Sequence, residues 1–70
     1  MQRNPVSSSN LASVGYQEET ETLEVEFLKG GIYQYFGVPS HVYQELISAS
    51  SVGGYFAQNV RNSYTFSQVG

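Results

Sequence analysis

The side chains best suited to binding a ligand are tyrosines and a single arginine. Tyr33 and Tyr35 alternate along a short aromatic run, and a β-sheet that presents such rings can stack nucleobases while the hydroxyls add polar contacts. Arg61 is the only basic residue in the second half of the chain, and its planar guanidinium group matches the oxygens of a phosphate. The alternative is structural, because tyrosine rings often pack in a core and an arginine at a helix end interacts with the helix dipole.

A turn of small residues supplies a second group of candidates. Ser51 and Gly53 precede a predicted helix, where free backbone N–H groups bind anions and glycine allows close approach. An ordinary corner between two helices is the alternative. Tyr55 and Tyr64 lie on either side of Arg61 in the sequence. The predicted ligand-binding set is therefore Arg61, Tyr33, Tyr35, Tyr55, Tyr64, Ser51 and Gly53.

Catalytic chemistry has little support in the composition. The chain has no cysteine and no aspartate, and His41 is its only histidine. This excludes a thiol nucleophile, a cysteine-ligated zinc and a two-histidine metal site within one chain. Glu24 and Glu26 share one face of a predicted strand, where we expect solvated carboxylates rather than an acid–base pair. Because no activated nucleophile and no base with an orienting partner is evident, we predict a non-catalytic module without metal or cofactor.

The charge balance limits the nucleic acids that the chain could bind. Six glutamates outnumber three basic residues, and the net charge is −3. A long RNA footprint needs several lysines or arginines, since its affinity comes largely from counterion release. A compact nucleotide is therefore favoured over a long RNA. In its small size and low charge the chain resembles phage-encoded sponge proteins, which sequester a cyclic nucleotide signal without turnover, and this resemblance implies a sponge as one form of the expected binding module. A protein–protein interaction module without a nucleotide ligand is the alternative, because tyrosine is enriched at protein interfaces.

The length of 70 residues indicates a single domain. The predicted parts are a flexible lead at 1–9, the domain at 10–66 and a tail at 67–70. Only 13% of the residues are charged, so little repulsion opposes self-association. A chain this short also buries only about 60% of the surface that its unfolded form exposes. We therefore predict a homo-oligomer. No stretch resembles a signal peptide or a membrane span, so we expect a cytoplasmic protein with no membrane partner.

The hydrophobic pattern predicts the element order β-β-β-α-α. An acidic turn at 18–21 and a glycine-containing hairpin turn at 29–31 separate predicted strands at 10–17, 22–28 and 32–36, and the alternation of period two is clearest in the second of them. An amphipathic helix of about three turns follows Pro39, and a shorter helix is expected at 55–62. The fold class is α+β, a three-stranded antiparallel meander followed by two short helices packed on one face. The apolar residues within 63–70 allow a short C-terminal strand.

The hairpin between the second and third predicted strands decides where Tyr33 and Tyr35 point. A two-residue loop would put both tyrosines beside Glu24 and Glu26, on the face opposite Phe27. A three-residue loop would put them on the face of Phe27, in the core. Paired glycines suit either turn, and a slip of one residue moves every side chain to the other face. Both registers stay open at this point.

A series of short motifs in a fixed order covers nearly the whole chain, from about Val6 to Phe66. The first half carries Ser9, Gly15-Tyr16, Leu23-x-Val25-x-Phe27, Gly30-x-x-Tyr33-x-Tyr35 and Val38-Pro39. The second half carries Tyr43, Leu46, Ala49, Ser51, Gly53, Tyr55-Phe56, Val60-Arg61 and Tyr64. In this order the motifs resemble those of the KTSC domain family.

The resemblance implies a small domain that often stands alone and also occurs at the C-terminus of some lysyl-tRNA synthetases. Its fusion to a synthetase implies RNA binding. Arg61 matches the family at its position, which adds to the case for a phosphate contact there. The chain departs from the family pattern at Gly54, where a basic residue is common, and at Ala57, where asparagine is common. The first departure removes a positive charge from the turn before Tyr55.

Overall fold

Five antiparallel strands form one sheet, and two helices pack against one of its faces. The computed structural model describes all 70 residues. In the order in which they lie across the sheet, the strands are β1 (Asn4–Pro5), β2 (Leu11–Gln17), β3 (Thr22–Phe27), β4 (Ile32–Tyr35) and β5 (Phe66–Gln68). The helices are α1 (Ser40–Ser48) and α2 (Val52–Asn59), and a 3-10 turn covers Glu18–Thr20. The predicted α+β class is confirmed.

The three strands of the predicted meander correspond to β2, β3 and β4, and one more strand flanks them on each side. β1 lies within residues 1–9, which we expected to be a flexible lead. β5 is the short C-terminal strand that the apolar residues within 63–70 allow. These two additions form the edges of the sheet, so each outer side of the predicted meander is covered by a short strand.

Apolar side chains from the sheet and from both helices form one core. The alternation of period two in β3 directs Leu23 and Val25 toward the helices, and α1 contributes Val42 and Leu46 at i, i+4 spacing. The buried members of the core are Leu11, Val14, Leu23, Val25, Tyr35, Val38, Val42, Leu46, Val52, Phe56 and Val60. Neither helix is long and apolar enough to cross a membrane.

Helix α2 begins three residues earlier than predicted. We expected it to begin at Tyr55, because the two preceding glycines favour a turn, but it begins at Val52. The Ser51 side chain accepts a hydrogen bond from the Gly54 N–H at 3.1 Å and so caps the first turn. This cap holds both glycines inside the helix.

The β3–β4 hairpin has the three-residue loop. Phe27 N–H donates to the Gly31 carbonyl at 3.1 Å, and Val25 lies opposite Tyr33 while Leu23 lies opposite Tyr35. The loop needs glycine at its end, since Gly30 has a φ of 108°. Tyr33 and Tyr35 therefore lie on the core face of the sheet, and the register that the sequence left open is resolved in favour of that face.

Candidate ligand-binding groove

An open groove of about 570 Å³ lies beside the β3–β4 hairpin, β5 and the segment that follows α2. Its size falls within the usual range for small-molecule sites, about 300–1,000 Å³. The lining residues are Asn10, Phe27, Lys29, Gly30, Tyr33, Tyr35, Arg61, Asn62 and Phe66. The groove thus combines aromatic rings, two cations and two carboxamides from four separate parts of the chain.

Aromatic rings form one continuous surface in the groove. The ring centroid of Tyr33 is 5.5 Å from that of Phe27 and 5.9 Å from that of Phe66. Tyr35 lies 5.5 Å from Phe66 and 5.3 Å from Phe56, at the edge of the core. Tyr35 is only 4% exposed, whereas Phe66 is 57% exposed. Tyr35 therefore forms the buried floor of the groove, and the rings accessible for stacking are those of Phe66 and the half-buried Tyr33.

The basic residues are distributed unevenly over the two faces of the sheet. Arg3 lies on the face away from the helices, where it pairs with Glu24 and approaches Glu26 to 4.0 Å. Lys29 and Arg61 form no ion pair, and both line the groove. None of the six glutamates lines it. The groove is therefore locally cationic although the chain as a whole is acidic.

The hydroxyl of Tyr35 remains a proton donor at neutral pH. Burial raises the pKa of Tyr35, and the neighbouring Tyr33 raises it further, while the positive charge of Arg61 acts in the opposite direction. Arg61 and Tyr35 both line the groove, so the positive charge of Arg61 acts close to the Tyr35 hydroxyl.

Four of the predicted site residues lie outside the groove lining. Tyr55 donates its hydroxyl hydrogen to Glu45 Oε1 at 2.8 Å, and burial together with this bond raises the pKa of Tyr55 to about 12. Tyr64 packs half-buried against the core. Ser51 caps α2, and Gly53 leaves space for Asn10, since a Cβ at position 53 would overlap the Asn10 side chain. Each of the four has a structural contact that accounts for its position.

The structure brings Tyr33, Tyr35 and Arg61 together, and it adds residues that sequence reasoning missed. Lys29 and Gly30 were interpreted only as a turn. Asn62 follows Arg61 directly in the sequence, which was the one local signal that could have identified it. The lining residues not predicted from the sequence are Asn10, Phe27, Lys29, Gly30, Asn62 and Phe66.

The expectation that Glu24 lies on a solvated face was wrong. Glu24 is 7% exposed, because Arg3 folds over it and Gln34 Nε2 donates to its Oε1 at 2.8 Å. Burial acts to raise the pKa of Glu24, but the hydrogen bonds from Gln34 and Arg3 and the guanidinium charge outweigh it and lower the pKa. The Glu26 side chain remains 41% exposed. This polar cluster holds the N-terminal segment to the sheet.

A second groove, of about 510 Å³, lies between the N-terminal segment and the two helices. Its lining contains no charged side chain and comprises Asn4, Pro5, Val6, Ser7, Val14, Tyr43, Ile47, Ala49, Ser50 and Val52. It lacks the cations that would recognise an anion, so the aromatic groove is the better candidate site.

These features define a small α+β domain in which two helices cover one face of an antiparallel sheet and an aromatic, cationic groove opens beside them. The family model of the KTSC domain matches residues 7–64. The chain belongs to the KTSC domain family, and the resemblance seen in the sequence motifs is confirmed.

The chain is also similar to individual proteins and to a solved structure. An uncharacterized protein of Stutzerimonas stutzeri is 47% identical over 58 residues, which cover 83% of this chain and 82% of that protein. A lysine–tRNA ligase of Nostoc punctiforme is 34% identical over 61 residues, 87% of this chain but only 11% of that protein. The crystal structure of a KTSC domain protein from Yersinia pestis has a TM-score of 0.96 and 39% identity, and the match covers 99% of this chain and 97% of that one.

Proposed function

We propose that this domain is a non-catalytic binding module for a nucleotide, held in the aromatic groove. The observation that carries the proposal is the placement of charge. Lys29 and Arg61 are the two basic side chains without an ion pair, and both line the same groove. A phosphate placed between them would receive charge-assisted hydrogen bonds, and a base would stack on Phe66 and Tyr33.

The polar groups of the groove fit the edge of a base. Asn62 carries a carboxamide that offers both donors and an acceptor, and Asn10 offers the donors of its carboxamide, since its Oδ1 already accepts from Ser8 Oγ at 2.9 Å. The Tyr35 hydroxyl adds a donor at the floor. Such groups recognise the hydrogen-bonding pattern of a nucleobase rather than phosphate alone, so a nucleotide suits the groove better than a simple anion does.

A compact ligand fits the number of cations. Two positive groups neutralise one or two phosphates, whereas an extended RNA footprint needs more. The similarity of the chain to a short part of lysine–tRNA ligases supports a ligand of the nucleotide class, in which a short RNA is included. One form of this proposal is a sponge protein, whose whole function is to sequester a cyclic nucleotide. A cytoplasmic location stays a prediction.

Binding without turnover is supported by the chemistry of the lining. The groove residues include no carboxylate, no histidine and no serine or threonine hydroxyl. The groups of the lining that could act as a nucleophile or base are the Lys29 amine and the hydroxyls of Tyr33 and Tyr35, and no carboxylate or histidine lies beside them in the lining to activate them.

A thermal-shift screen tests the proposal. The panel contains mononucleotides, cyclic di- and trinucleotides, a short single-stranded RNA and inorganic phosphate. A ligand at about a hundred times its dissociation constant adds about 2.7 kcal/mol, which moves the midpoint of a domain this small by several degrees. A shift with a nucleotide and a smaller one with phosphate alone supports the proposal. No shift with any nucleotide contradicts it and favours the protein–protein interaction module.

A further inference from the structure

The outer edge of β5 presents unpaired backbone groups. On its inner side, Thr65 O accepts from Phe36 N–H at 2.9 Å and Val69 N–H donates to Ile32 O at 2.7 Å. Because backbone groups alternate in direction along a strand, Ser67 also faces β4, and Phe66 and Gln68 direct their N–H and C=O groups outward. All three residues of β5 are exposed.

The two edges of the sheet are protected to different degrees from pairing with a further strand. β1 has two residues, one of which is Pro5, and Arg3 precedes it. Proline and charge at an edge strand are common means of preventing further pairing. Residues 64–70, in contrast, contain no charged side chain and no proline, and Phe66 and Val69 are 57% and 52% exposed. Only one edge of the sheet therefore remains open to another strand.

We propose that β5 pairs antiparallel with β5 of a second copy of this chain, about a two-fold axis at Ser67. In this register Phe66 N–H faces the Gln68 carbonyl of the other copy, and Gln68 N–H faces its Phe66 carbonyl. The axis repeats both bonds, so each outward donor meets an outward acceptor. Ser67 lies opposite its own symmetry mate, and this pair is small and uncharged. The two five-stranded sheets become one continuous sheet.

The pairing brings the two aromatic grooves side by side. Phe66 and Gln68 lie on the same face of the sheet as Tyr35 and Tyr33, their partners in β4. The second copy therefore places its Gln68 side chain beside Phe66, the exposed wall of the groove, and so extends that wall. This consequence rests on the proposed function, but the pairing itself does not depend on any ligand.

Opposite charges at position 67 test the pairing. The oligomeric state of the full chain is measured by sedimentation equilibrium for the wild type, for Ser67→Lys and for Ser67→Glu. We expect a wild-type dimer of the 7.7 kDa chain. Each variant alone should raise the dimer dissociation constant by about fivefold, because like charges then face each other across the axis. An equimolar mixture of the two variants should recover the dimer, since Lys then faces Glu.

A matched control is Ser48→Lys, which places the same charge at an exposed position at the end of α1; its dissociation constant should equal that of the wild type. Far-ultraviolet circular dichroism verifies that each variant is folded. A wild-type chain that sediments as a monomer at every concentration overturns the proposal. So does a dimer that neither Ser67 variant weakens, because its interface must lie elsewhere. The nucleotide screen is independent of these measurements, so either proposal can fail alone.

Discussion

Replacing Arg61 with alanine is expected to remove ligand affinity without weakening the fold. Arg61 is exposed and forms no ion pair, so the free energy of unfolding should change by less than about 0.5 kcal/mol. A hydrogen bond to a charged group contributes about 1.5–3 kcal/mol. The dissociation constant for the best nucleotide of the screen should therefore rise by about tenfold to 150-fold.

Titration calorimetry measures the affinity, and thermal denaturation without ligand measures the fold. Arg3→Ala is the matched control, because it removes the same side chain from the opposite face of the sheet. Arg3 pairs with the buried Glu24 and donates from Nε to Ser13 Oγ at 3.0 Å. Its loss leaves a buried carboxylate with fewer partners and should cost about 1–3 kcal/mol of stability, while nucleotide affinity stays unchanged.

Arg61→Ala should thus lose ligand affinity at unchanged stability, whereas Arg3→Ala should lose stability at unchanged ligand affinity. A lower midpoint in the unliganded Arg61→Ala protein would assign Arg61 to the fold instead of to a ligand. Equal affinities in Arg61→Ala and the wild type would refute the placement of the phosphate in the aromatic groove. A loss of affinity in Arg3→Ala without unfolding would move the site to the other face of the sheet.

Two further predictions concern the contacts that hold the N-terminal segment to the sheet. Gly15→Ala should lower the free energy of unfolding by about 1–3 kcal/mol in urea, because the new Cβ would overlap the backbone carbonyl of Gln2 and lie 3.2 Å from Arg3 Cα; unchanged stability would mean that the N-terminal segment can shift away without cost. Glu24→Gln should make the free energy of unfolding fall less steeply as the pH is lowered into the acid range. The pKa of Glu24 is lowered in the folded state, so the contribution of its carboxylate to the free energy of unfolding is complete above the ordinary pKa of 4.5 and is lost as the pH falls through the lower folded pKa. Urea unfolding at a series of pH values below 4.5 measures this loss. An equally steep loss in the variant would contradict the prediction.

Local sequence pattern predicted the elements of this fold better than it predicted their contacts. The alternation of Leu23, Val25 and Phe27 identified β3, and the glycines identified the hairpin. The same glycines could not fix the register, since both loop lengths are compatible with them, and the register decided which face carries Tyr33 and Tyr35. The start of α2 was predicted wrongly because a glycine pair has low helix propensity, whereas the Ser51 cap and packing of the helix on the core override it.

The candidate site could be predicted only where its residues have distinctive chemistry. Arg61 was identifiable because bases are rare in this chain, and the tyrosines because they alternate. Lys29 lies in a turn whose location relative to Arg61 depends on how the end of α2 packs against the β3–β4 hairpin. The burial of Glu24 depends on Arg3, which is 21 residues away in the sequence. Such long-range contacts leave no periodic signal in the sequence.

The salt dependence of binding distinguishes a compact ligand from a long nucleic acid. Each phosphate contact to a single strand contributes a slope of about 0.7 to the logarithm of affinity against the logarithm of salt. Only Lys29 and Arg61 line the groove as cations, so a short RNA should bind with a slope no steeper than about 1.4 in magnitude, and Lys29→Ala should reduce it by about half. A slope of about 4 or more would require about six contacts, twice the number of basic residues in the chain, which is three. That result would mean that several copies of the domain bind one strand, and the binding of a compact nucleotide in a single groove would be refuted.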